Sequence, residues 1–356
     1  MEELKDTFGM LDLLTRPAFA VCNGKVVRVN AAARACLIEE GSQVDALLAT
    51  GEEEYRDFRD GCLYLLLKLG NNTSGASVTK LNEHDIFVLE QDETQAELQA
   101  MALAAQELRT PLANVMTIAN RLYPISGKDD PAMQEQAARI NRGLYQLLRI
   151  VGNMSDAYRY FLETVPQMEM RNICSLCKEI FEASQVLISQ AEVTLRYSVP
   201  EEAVFCLVDE EKLERAIHNM FSNAIKFAGK GTEIRASLVK KGHLLYLTVS
   251  DEGAGIAQDI RSNVYSRHLR QPGIEDGRYG IGLGMVLIRA AATAHGGTVL
   301  IENPKDQGTR ITMTLAANQN NGTFRAPLYK IDYAGEQDHS LVELSDSLPL
   351  SAYQKK

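Results

Sequence analysis

Two stretches of this chain carry apolar residues at alternating steps of three and four positions. In the first stretch they are Leu98, Met101, Ala105, Leu108, Leu112, Val115, Ala119 and Leu122. In the second they are Met133, Ala137, Ile140, Leu144, Leu147, Val151, Met154, Tyr158 and Phe161. This spacing is typical of helices that bury one continuous stripe, and a break with two prolines and a glycine separates them at 124–131. We therefore predict an antiparallel helical hairpin over residues 93–165, and we expect two copies to pair as a four-helix bundle in a homodimer.

Residues 1–92 instead alternate short apolar runs with turn residues, a pattern that predicts strands. The expected strands are Ala18–Val21, Val26–Val29, Leu63–Leu69, Ala76–Leu81 and Ile86–Glu90, with a turn at Asn23-Gly24 and an alanine-rich helix from Asn30. The order of these elements, the sequence NGKVVRVNAAARA and the sequence DET at 92–94 resemble a PAS sensor domain. An unrelated α+β domain is the alternative.

Residues 166–317 mix helical and extended patterns, and this mixture predicts a two-layer α/β sandwich. The expected helices are Cys174–Gln190, Glu210–Phe227 and Leu283–His295. The expected strands are Val193–Val199, Glu233–Val239, Leu244–Asp251, Thr298–Glu302 and Thr309–Leu315. The last segment, 318–356, opens with NQNNG and is predicted to be a linker and polar tail. The fold class is therefore multidomain α+β.

Composition narrows the class of protein. The 356 residues carry a net charge of −10, which argues against nucleic acid or an anionic membrane as the main partner. The longest apolar run, around 63–69, is too short to cross a bilayer, and the chain opens without a charged-then-apolar leader. Its six cysteines are scattered, and the pair Cys174 and Cys177 falls on a predicted helix face. We therefore expect a cytoplasmic protein.

Four short motifs follow one another in the 166–317 segment. The helical sequence DEEKLERAIHNMFSNAIKF places Asn219, Asn223 and Lys226 on one face. The sequence DEGAGI at 251–256 ends a strand with Asp251. The sequence GIGLGM at 280–285 opens a helix whose backbone N–H groups can bind an anion, and QGTR at 307–310 begins a strand. Each motif alone is a weak signal, but four in order, each on a suitable element, are a strong one.

Together these motifs resemble the N, G1, G2 and terminal G boxes of the histidine-kinase ATPase domain, the Bergerat fold shared with gyrase, the Hsp90 chaperones and MutL. The sequence AHGG at 294–297 extends the resemblance to the histidine kinases proper. The resemblance implies ATP and Mg²⁺ as cofactors, with Asn219 and Asn223 contacting the metal, Lys226 a phosphate and Asp251 the adenine. The full set of implied ATP-binding residues is Asn219, Asn223, Lys226, Phe227, Asp251, Gly253, Gly255, Gly280, Gly282, Leu283, Gly284 and Thr309.

Two features distinguish this chain within that superfamily. In the gyrase and chaperone branch, a glutamate at the position of Asn219 activates water; an asparagine cannot, because it has no basic form at neutral pH. Bulk ATP hydrolysis is therefore not expected. In the lid that follows Gly255, the usual phenylalanine-centred F box is absent, and its nearest equivalents are Val264, Tyr265 and Leu269.

The first hairpin helix contains AAQELRTPLANV at 104–115, which resembles the H box of histidine kinases with Gln106 in place of the phosphoacceptor histidine. The heptad count places Gln106 and Thr110 on the outer face of the hairpin. An amide nitrogen is delocalised into its carbonyl, so we expect no autophosphorylation at Gln106. The resemblance implies that Glu107 is a retained base and that Thr110 orients water against a response regulator's phospho-aspartate. Ordinary solvated helix residues are the alternative.

Three functions are compatible with this sequence. The first is a two-component sensor that binds ATP and a separate response regulator, with phosphatase action in place of kinase action. The second is an active kinase that uses another acceptor or phosphorylates in trans; His268 and His339 are the candidate acceptors within the chain. The third is a non-catalytic dimeric module in which ATP only switches the conformation offered to a partner.

Overall fold

The N-terminal part forms a five-stranded antiparallel sheet in the order Lys25–Val29, Ala18–Cys22, His84–Leu89, Asn72–Leu81 and Cys62–Leu69. The computed structural model describes residues 9, 11–90, 93–122, 131–162, 167–256, 283–304, 308–317 and 338–354. Asn30 begins the first helix, since its Oδ1 accepts hydrogen bonds from Ala33 N at 2.8 Å and from Ala18 N at 3.1 Å. The elements of this part are β1 (Ala18–Cys22), β2 (Lys25–Val29), α1 (Ala31–Ala35), α2 (Glu52–Asp57), β3 (Cys62–Leu69), β4 (Asn72–Leu81) and β5 (His84–Leu89). All the predicted strands and the predicted helix are confirmed, and α2 was not predicted.

The predicted hairpin helices are α3 (Glu93–Leu122) and α4 (Pro131–Leu162), which pack against each other. Their apolar seam divides into two sets. One set is buried between the helices: Ala105, Leu112, Leu144 and Val151. The other is 50–58% exposed: Leu108, Val115, Ile140 and Leu147. The seam is therefore not one equivalent stripe, because four of its residues close the hairpin and four others are exposed.

The third unit has helices on one side of a sheet, which confirms the predicted α/β layering. The elements are β6 (Glu169–Asn172), α5 (Ile173–Gln190), β7 (Thr194–Ser198), β8 (Phe205–Val208), α6 (Glu210–Ala228), β9 (Glu233–Lys241), β10 (Leu244–Ser250), α7 (Gly284–Ala294), β11 (Val299–Glu302) and β12 (Arg310–Ala316). Helices α5 and α6 pack on β9, α6 also packs on β10, and α7 packs on β12. A small two-stranded sheet, β6–β8, was not predicted. Cys174 and Cys177 are buried on α5, as the helix-face interpretation predicts.

The sheets of the first and third units join edge to edge into one sheet of ten strands. The junction is the antiparallel pair β3–β11, in which Tyr64 lies opposite Val299. Beside it, the Arg289 guanidinium forms an ion pair with Glu90 and lies 4.8 Å from the centroid of the Tyr64 ring. Strand pairing closes two sheet edges that would otherwise be open. Nothing in the amphipathic pattern of either unit specified this union.

The prediction of a polar tail is wrong for residues 338–354, which we call the C-terminal strap. The strap contains helix α8 (His339–Glu343) and a 3₁₀ turn at Leu350–Tyr353. Leu344, Leu348 and Tyr353 are at most 3% exposed and belong to the same core as α5 and α6. The Tyr353 ring lies 5.4 Å from that of Tyr145 on α4, so the strap bridges the hairpin and the third unit. In the part of the chain that the structure describes, no helix is long and apolar enough to cross a membrane.

Candidate nucleotide-binding site

Helix α6 presents the first motif on an unbroken helical face. It begins after Asp209, whose Oδ1 accepts from Lys212 N at 3.1 Å. Asn219, Asn223 and Lys226 then project from one side, as predicted, since they are four and three residues apart. Asn219 is 1% exposed, so this face lies inside the protein.

The beginning of α7 lies directly against this face. A Cβ on Gly284 would be 3.0 Å from Asn219 Oδ1, so a side chain here would crowd the amide. Asn223 Nδ2 donates to Met285 Sδ at 3.8 Å. Leu283 is 2% exposed and packs in a small cluster that includes Met101 and Tyr158 of the hairpin. The predicted amide pair and the predicted anion-binding helix end are therefore adjacent, and both lie close to the hairpin.

Asp251 marks a second end of the site, at the terminus of β10. Its Oδ1 accepts from the backbone N–H of Gly253 at 2.8 Å and of Thr309 at 3.2 Å. Its Oδ2 takes part in neither bond. Burial raises the pKa of the Asp251 carboxyl, and the two backbone hydrogen bonds oppose that rise. The main chain thus fixes one carboxylate oxygen and leaves the other available to a ligand.

Close backbone approach at this end requires glycine. Gly308 has a φ of 92°, and a Cβ there would overlap the carbonyl oxygen of Asp251. A Cβ on Gly253 would overlap the carbonyl oxygen of Phe227, whose own side chain is 48% exposed. Gly255 in turn lies against the carbonyl oxygen of Gly308. The end of α6, the end of β10 and the start of β12 therefore converge around Asp251.

The cationic and amide groups of α6 are engaged by side chains from outside the unit. Lys226 Nζ lies 3.3 Å from Asp346 Oδ2 of the strap. Asn219 Oδ1 accepts from Arg149 Nη2 of α4 at 3.2 Å. Burial lowers the pKa of Lys226 to about 8; the Arg149 charge adds to this effect, and Asp346 opposes it. Arg149 and Asp346 were not among the predicted site residues. The available signal for the strap was its set of apolar residues, among them Val342, Leu344, Leu348 and Tyr353.

His295, in the AHGG motif, has a structural role under α6. Its Nε2 accepts from Asp209 N at 3.0 Å, and Nδ1 lies 2.7 Å from the carbonyl oxygen of Ala291. One nitrogen accepts and the other donates, which is the neutral form of imidazole. Burial lowers the pKa of His295, consistent with that form. His295 thus connects the end of α7 to the start of α6.

On the hairpin, Gln106 is exposed beside the buried Ala105, as the heptad count predicts. Glu107 and Thr110 are also exposed. Gln106 lines an open groove of about 620 Å³ between α3 and α4. Its other lining residues are Gln99, Ala102, Leu103, Arg109, Ser155, Tyr158 and Arg159. The predicted phosphoacceptor position, Gln106, is therefore accessible and shares its groove with Arg109 and Arg159.

Several predicted residues lie outside the described part of the chain: Gly280, Gly282, the lid positions 264, 265 and 269, and His268. The other candidate acceptor, His339, lies in the strap with its Nδ1 3.2 Å from Glu214 Oε2. Among the described residues, no group of three or more His, Cys, Asp or Glu side chains is arranged to hold a metal ion. A cation at α6 would therefore depend on amide oxygens and on the ligand's own phosphates.

Curated relatives are sensor kinases. The chain is 26% identical to the adaptive-response sensory kinase SasA of Crocosphaera subtropica over 75% of this chain and 72% of that protein. It is 29% identical to hybrid signal transduction histidine kinase D of Dictyostelium discoideum over 62% of this chain, but spans only 15% of that protein. It spans 26% of the sensor protein KdpD of Clostridium acetobutylicum, at 25% identity over 64% of this chain.

Comparison of structures agrees at the level of the fold. Full-length ShkA, solved in complex with AMPPNP, matches 61% of this chain and 45% of its own with a TM-score of 0.50 and 21% identity. Residues 208–319 match the family model described as histidine kinase-, DNA gyrase B-, and HSP90-like ATPase. That range contains α6, Asp251 and the start of α7. The chain therefore carries an ATPase domain of the type shared by histidine kinases, DNA gyrase B and HSP90, and its similarity beyond that domain is to sensor histidine kinases.

Proposed function

We propose that this protein is a Mg-ATP-binding sensor of histidine-kinase type in two-component signalling, with a hairpin that does not accept a phosphoryl group. The observation that carries the proposal is that one unit contains both ends of a possible nucleotide site. The buried Asp251 carboxylate lies at one end, and the Asn219–Asn223–Lys226 face lies at the other. A nucleotide needs both, because its base is neutral and its triphosphate is anionic.

Each end suits one part of ATP. Asp251 Oδ2 would accept from the adenine amino group while Oδ1 stays on its two backbone donors. The amide oxygens of Asn219 and Asn223 are hard ligands of the kind that Mg²⁺ takes, and the ion when bound offsets phosphate charge. Lys226 would offset more of it, and the free N–H groups at the beginning of α7 would bind an anionic phosphate. In this proposal Asn219 provides no base for hydrolysis.

Gln106 separates this chain from an ordinary histidine kinase. It is exposed on the outer face, where a phosphoacceptor must stand, but its amide is neither basic nor nucleophilic. Glu107 and Thr110 remain exposed on the same helix. We therefore propose that the hairpin binds a separate response regulator in the cytoplasm, and that Thr110 orients water for the hydrolysis of its phospho-aspartate.

The test is incubation of the natural chain with γ-labelled Mg-ATP, followed by acid and base treatment of any labelled protein. No label on the chain, together with faster loss of phosphate from an acetyl-phosphate-charged receiver domain, is the expected result. An acid-labile label would instead identify a kinase with another acceptor. Binding of ATP with neither label nor phosphatase action would indicate the ATP-switched module. Of the two alternatives to the proposed function, this one has structural support in the ion pairs that link the hairpin and α6 to the strap.

The N-terminal unit is proposed to be a PAS-like sensor. The support is its strand order β2-β1-β5-β4-β3, with both helices between β2 and β3. Its own core is formed by residues such as Phe19 and Phe87, whose stacked rings lie 4.6 Å apart. Since β3 pairs with β11, a change in this sheet would reach the ATPase unit directly through strand hydrogen bonds.

The exposed residues of the hairpin seam support a homodimer, and Leu147 is the one chosen to test it. We expect Leu147→Glu to yield monomers in light scattering, because Leu147 is 50% exposed and a charge there would oppose a second apolar surface. Leu112→Glu is not an equivalent test. Leu112 is 8% exposed inside one hairpin, so a charge there would unfold the hairpin itself.

The matched control for this experiment is Val186→Glu, on an exposed apolar residue of α5 that is 65% exposed and lies outside the hairpin. It should leave the oligomeric state unchanged. A Leu147→Glu protein with the mass of a dimer would move the interface away from the seam.

A further inference from the structure

The C-terminal strap is a folded element with its own anchors. Leu344 is fully buried, and Leu348 and Tyr353 are at most 3% exposed in the core shared with α5 and α6. Polar contacts fix the register: Ser340 Oγ lies 2.9 Å from His218 Nε2, and Ser347 Oγ lies 2.9 Å from Ser222 Oγ. Burial of this extent stabilises one docked position rather than a loose association.

Two strap carboxylates meet three cations from two different units. Asp346 Oδ2 is 2.6 Å from Arg149 Nη1 and 3.3 Å from Lys226 Nζ. Glu343 is fully buried, with its oxygens 3.6 Å from Arg149 Nε and 3.3 Å from Arg215 Nη2. Buried charges of this kind depend on their partners, because an unpaired charge in the interior is strongly unfavourable.

These contacts fall on the phosphate end of the candidate site. Lys226 is the cation assigned above to a phosphate, and its charge is neutralised by Asp346. Arg149, held by the strap, donates to Asn219 Oδ1 at 3.2 Å, so the oxygen assigned to a metal ion faces a guanidinium. A metal cation and a guanidinium cannot share that oxygen without strong repulsion.

The charge balance of the cluster points the same way. Its members are the cations Arg149, Arg215 and Lys226 and the carboxylates Asp156, Glu343 and Asp346, with Asp156 paired to Arg215. These six groups cancel while the strap is docked. If the two strap carboxylates leave, the remaining four carry a surplus of two positive charges. Such a surplus favours a polyphosphate anion in their place.

We propose that the C-terminal strap is an internal competitor of nucleotide. Asp346 pairs with Lys226, and Asp346 and Glu343 together hold Arg149 against the Asn219 oxygen, so Lys226 and Asn219 are withheld from the triphosphate and its metal. This inference rests on the proposed function of the site. Docked, the strap also links α4 to α6, so its release would remove one of the sets of contacts between the hairpin and the ATPase unit. The apparent affinity for ATP then equals the intrinsic affinity reduced by the fraction of molecules with the strap released.

Competition predicts a gain of binding, which a merely structural strap does not. In the full chain, Asp346→Asn should bind a fluorescent Mg-ATP analogue about tenfold more tightly. The reason is that losing one charge-assisted contact weakens the docking of the strap by about that factor. The matched control is Asp85→Asn, which breaks a Lys–Asp pair of 2.6 Å with Lys80 in the N-terminal unit. It should bind as the natural chain does. Asp251→Asn, titrated in parallel, reports on the site itself.

The outcomes separate the two claims. Equal or weaker binding by Asp346→Asn, with binding by the natural chain still reduced by Asp251→Asn, overturns the competition and leaves the ATP site standing. Absence of binding by all variants overturns the ATP site and the competition with it. Hydrogen exchange on the natural chain gives a second readout: saturating Mg-ATP should increase exchange of the amides at 340–353. Unchanged protection there at full occupancy would also overturn the proposal.

Discussion

The Gln106→His variant is expected to acquire an acid-labile phosphohistidine with γ-labelled Mg-ATP, whereas the natural chain is expected to acquire none. Imidazole carries a free lone pair, and the amide that it replaces does not. The position is exposed in the groove between α3 and α4, and the sequence ELRTPL that follows it is intact. The expected change is from no phosphorylated product to a detectable one.

The control for this experiment is Gln99→His. Gln99 lies seven residues earlier on α3 and lines the same groove, so it presents an imidazole on a similar surface outside the H-box position. It should remain unlabelled. If Gln106→His binds ATP but stays unlabelled, the catalytic unit cannot deliver a phosphoryl group to the hairpin. Label on the natural chain would contradict the claim that it accepts no phosphoryl group, and His339 would be the first acceptor to examine.

The Asp251→Asn variant is expected to lose about five- to 150-fold in affinity for ATP, which corresponds to about 1–3 kcal/mol. The amide oxygen of asparagine can keep the bonds from Gly253 N and Thr309 N, so the turn should hold. Its NH₂ group then replaces Oδ2 and meets the adenine amino group, donor against donor. Equilibrium titration with a fluorescent ATP analogue measures the loss.

Glu252→Gln is the control for that titration. Glu252 follows Asp251 in the chain, but its side chain points to Arg235, with Oε1 3.0 Å from Nη2, and is 44% exposed. Its neutralisation should leave the affinity for ATP unchanged. If Asp251→Asn binds as tightly as the natural chain, the assignment of the adenine end is wrong.

The sequence predicted those parts of the fold that local patterns dictate. The steps of three and four residues located α3 and α4, because a buried helical stripe repeats with that period. The spacing of Asn219, Asn223 and Lys226 placed them on one face for the same reason. Gly253 and Gly308 lie where the backbone passes a carbonyl oxygen too closely for a side chain. Because only glycine fits at such positions, both belong to motifs that the sequence shows.

Features that depend on contacts distant in sequence were not predictable in this way. The pairing of β3 with β11 joins residues more than two hundred positions apart, and either edge could equally have faced solvent. Arg149 looked like one more polar residue of a hairpin helix, yet it donates to Asn219. The strap reads as a polar tail because polar residues are interspersed among its apolar ones, yet Leu344, Leu348 and Tyr353 are buried in the core.

The central claim, an adenine nucleotide site between Asp251 and the α6 face, is tested most directly by titration of the natural chain with Mg-ATP and with Mg-GTP. A carboxylate that accepts from the amino group of adenine would face the carbonyl oxygen of guanine and repel it. We expect saturable binding of one ATP per chain, with clearly weaker binding of GTP. Equal affinity for the two nucleotides, or no saturable binding of ATP, would contradict it.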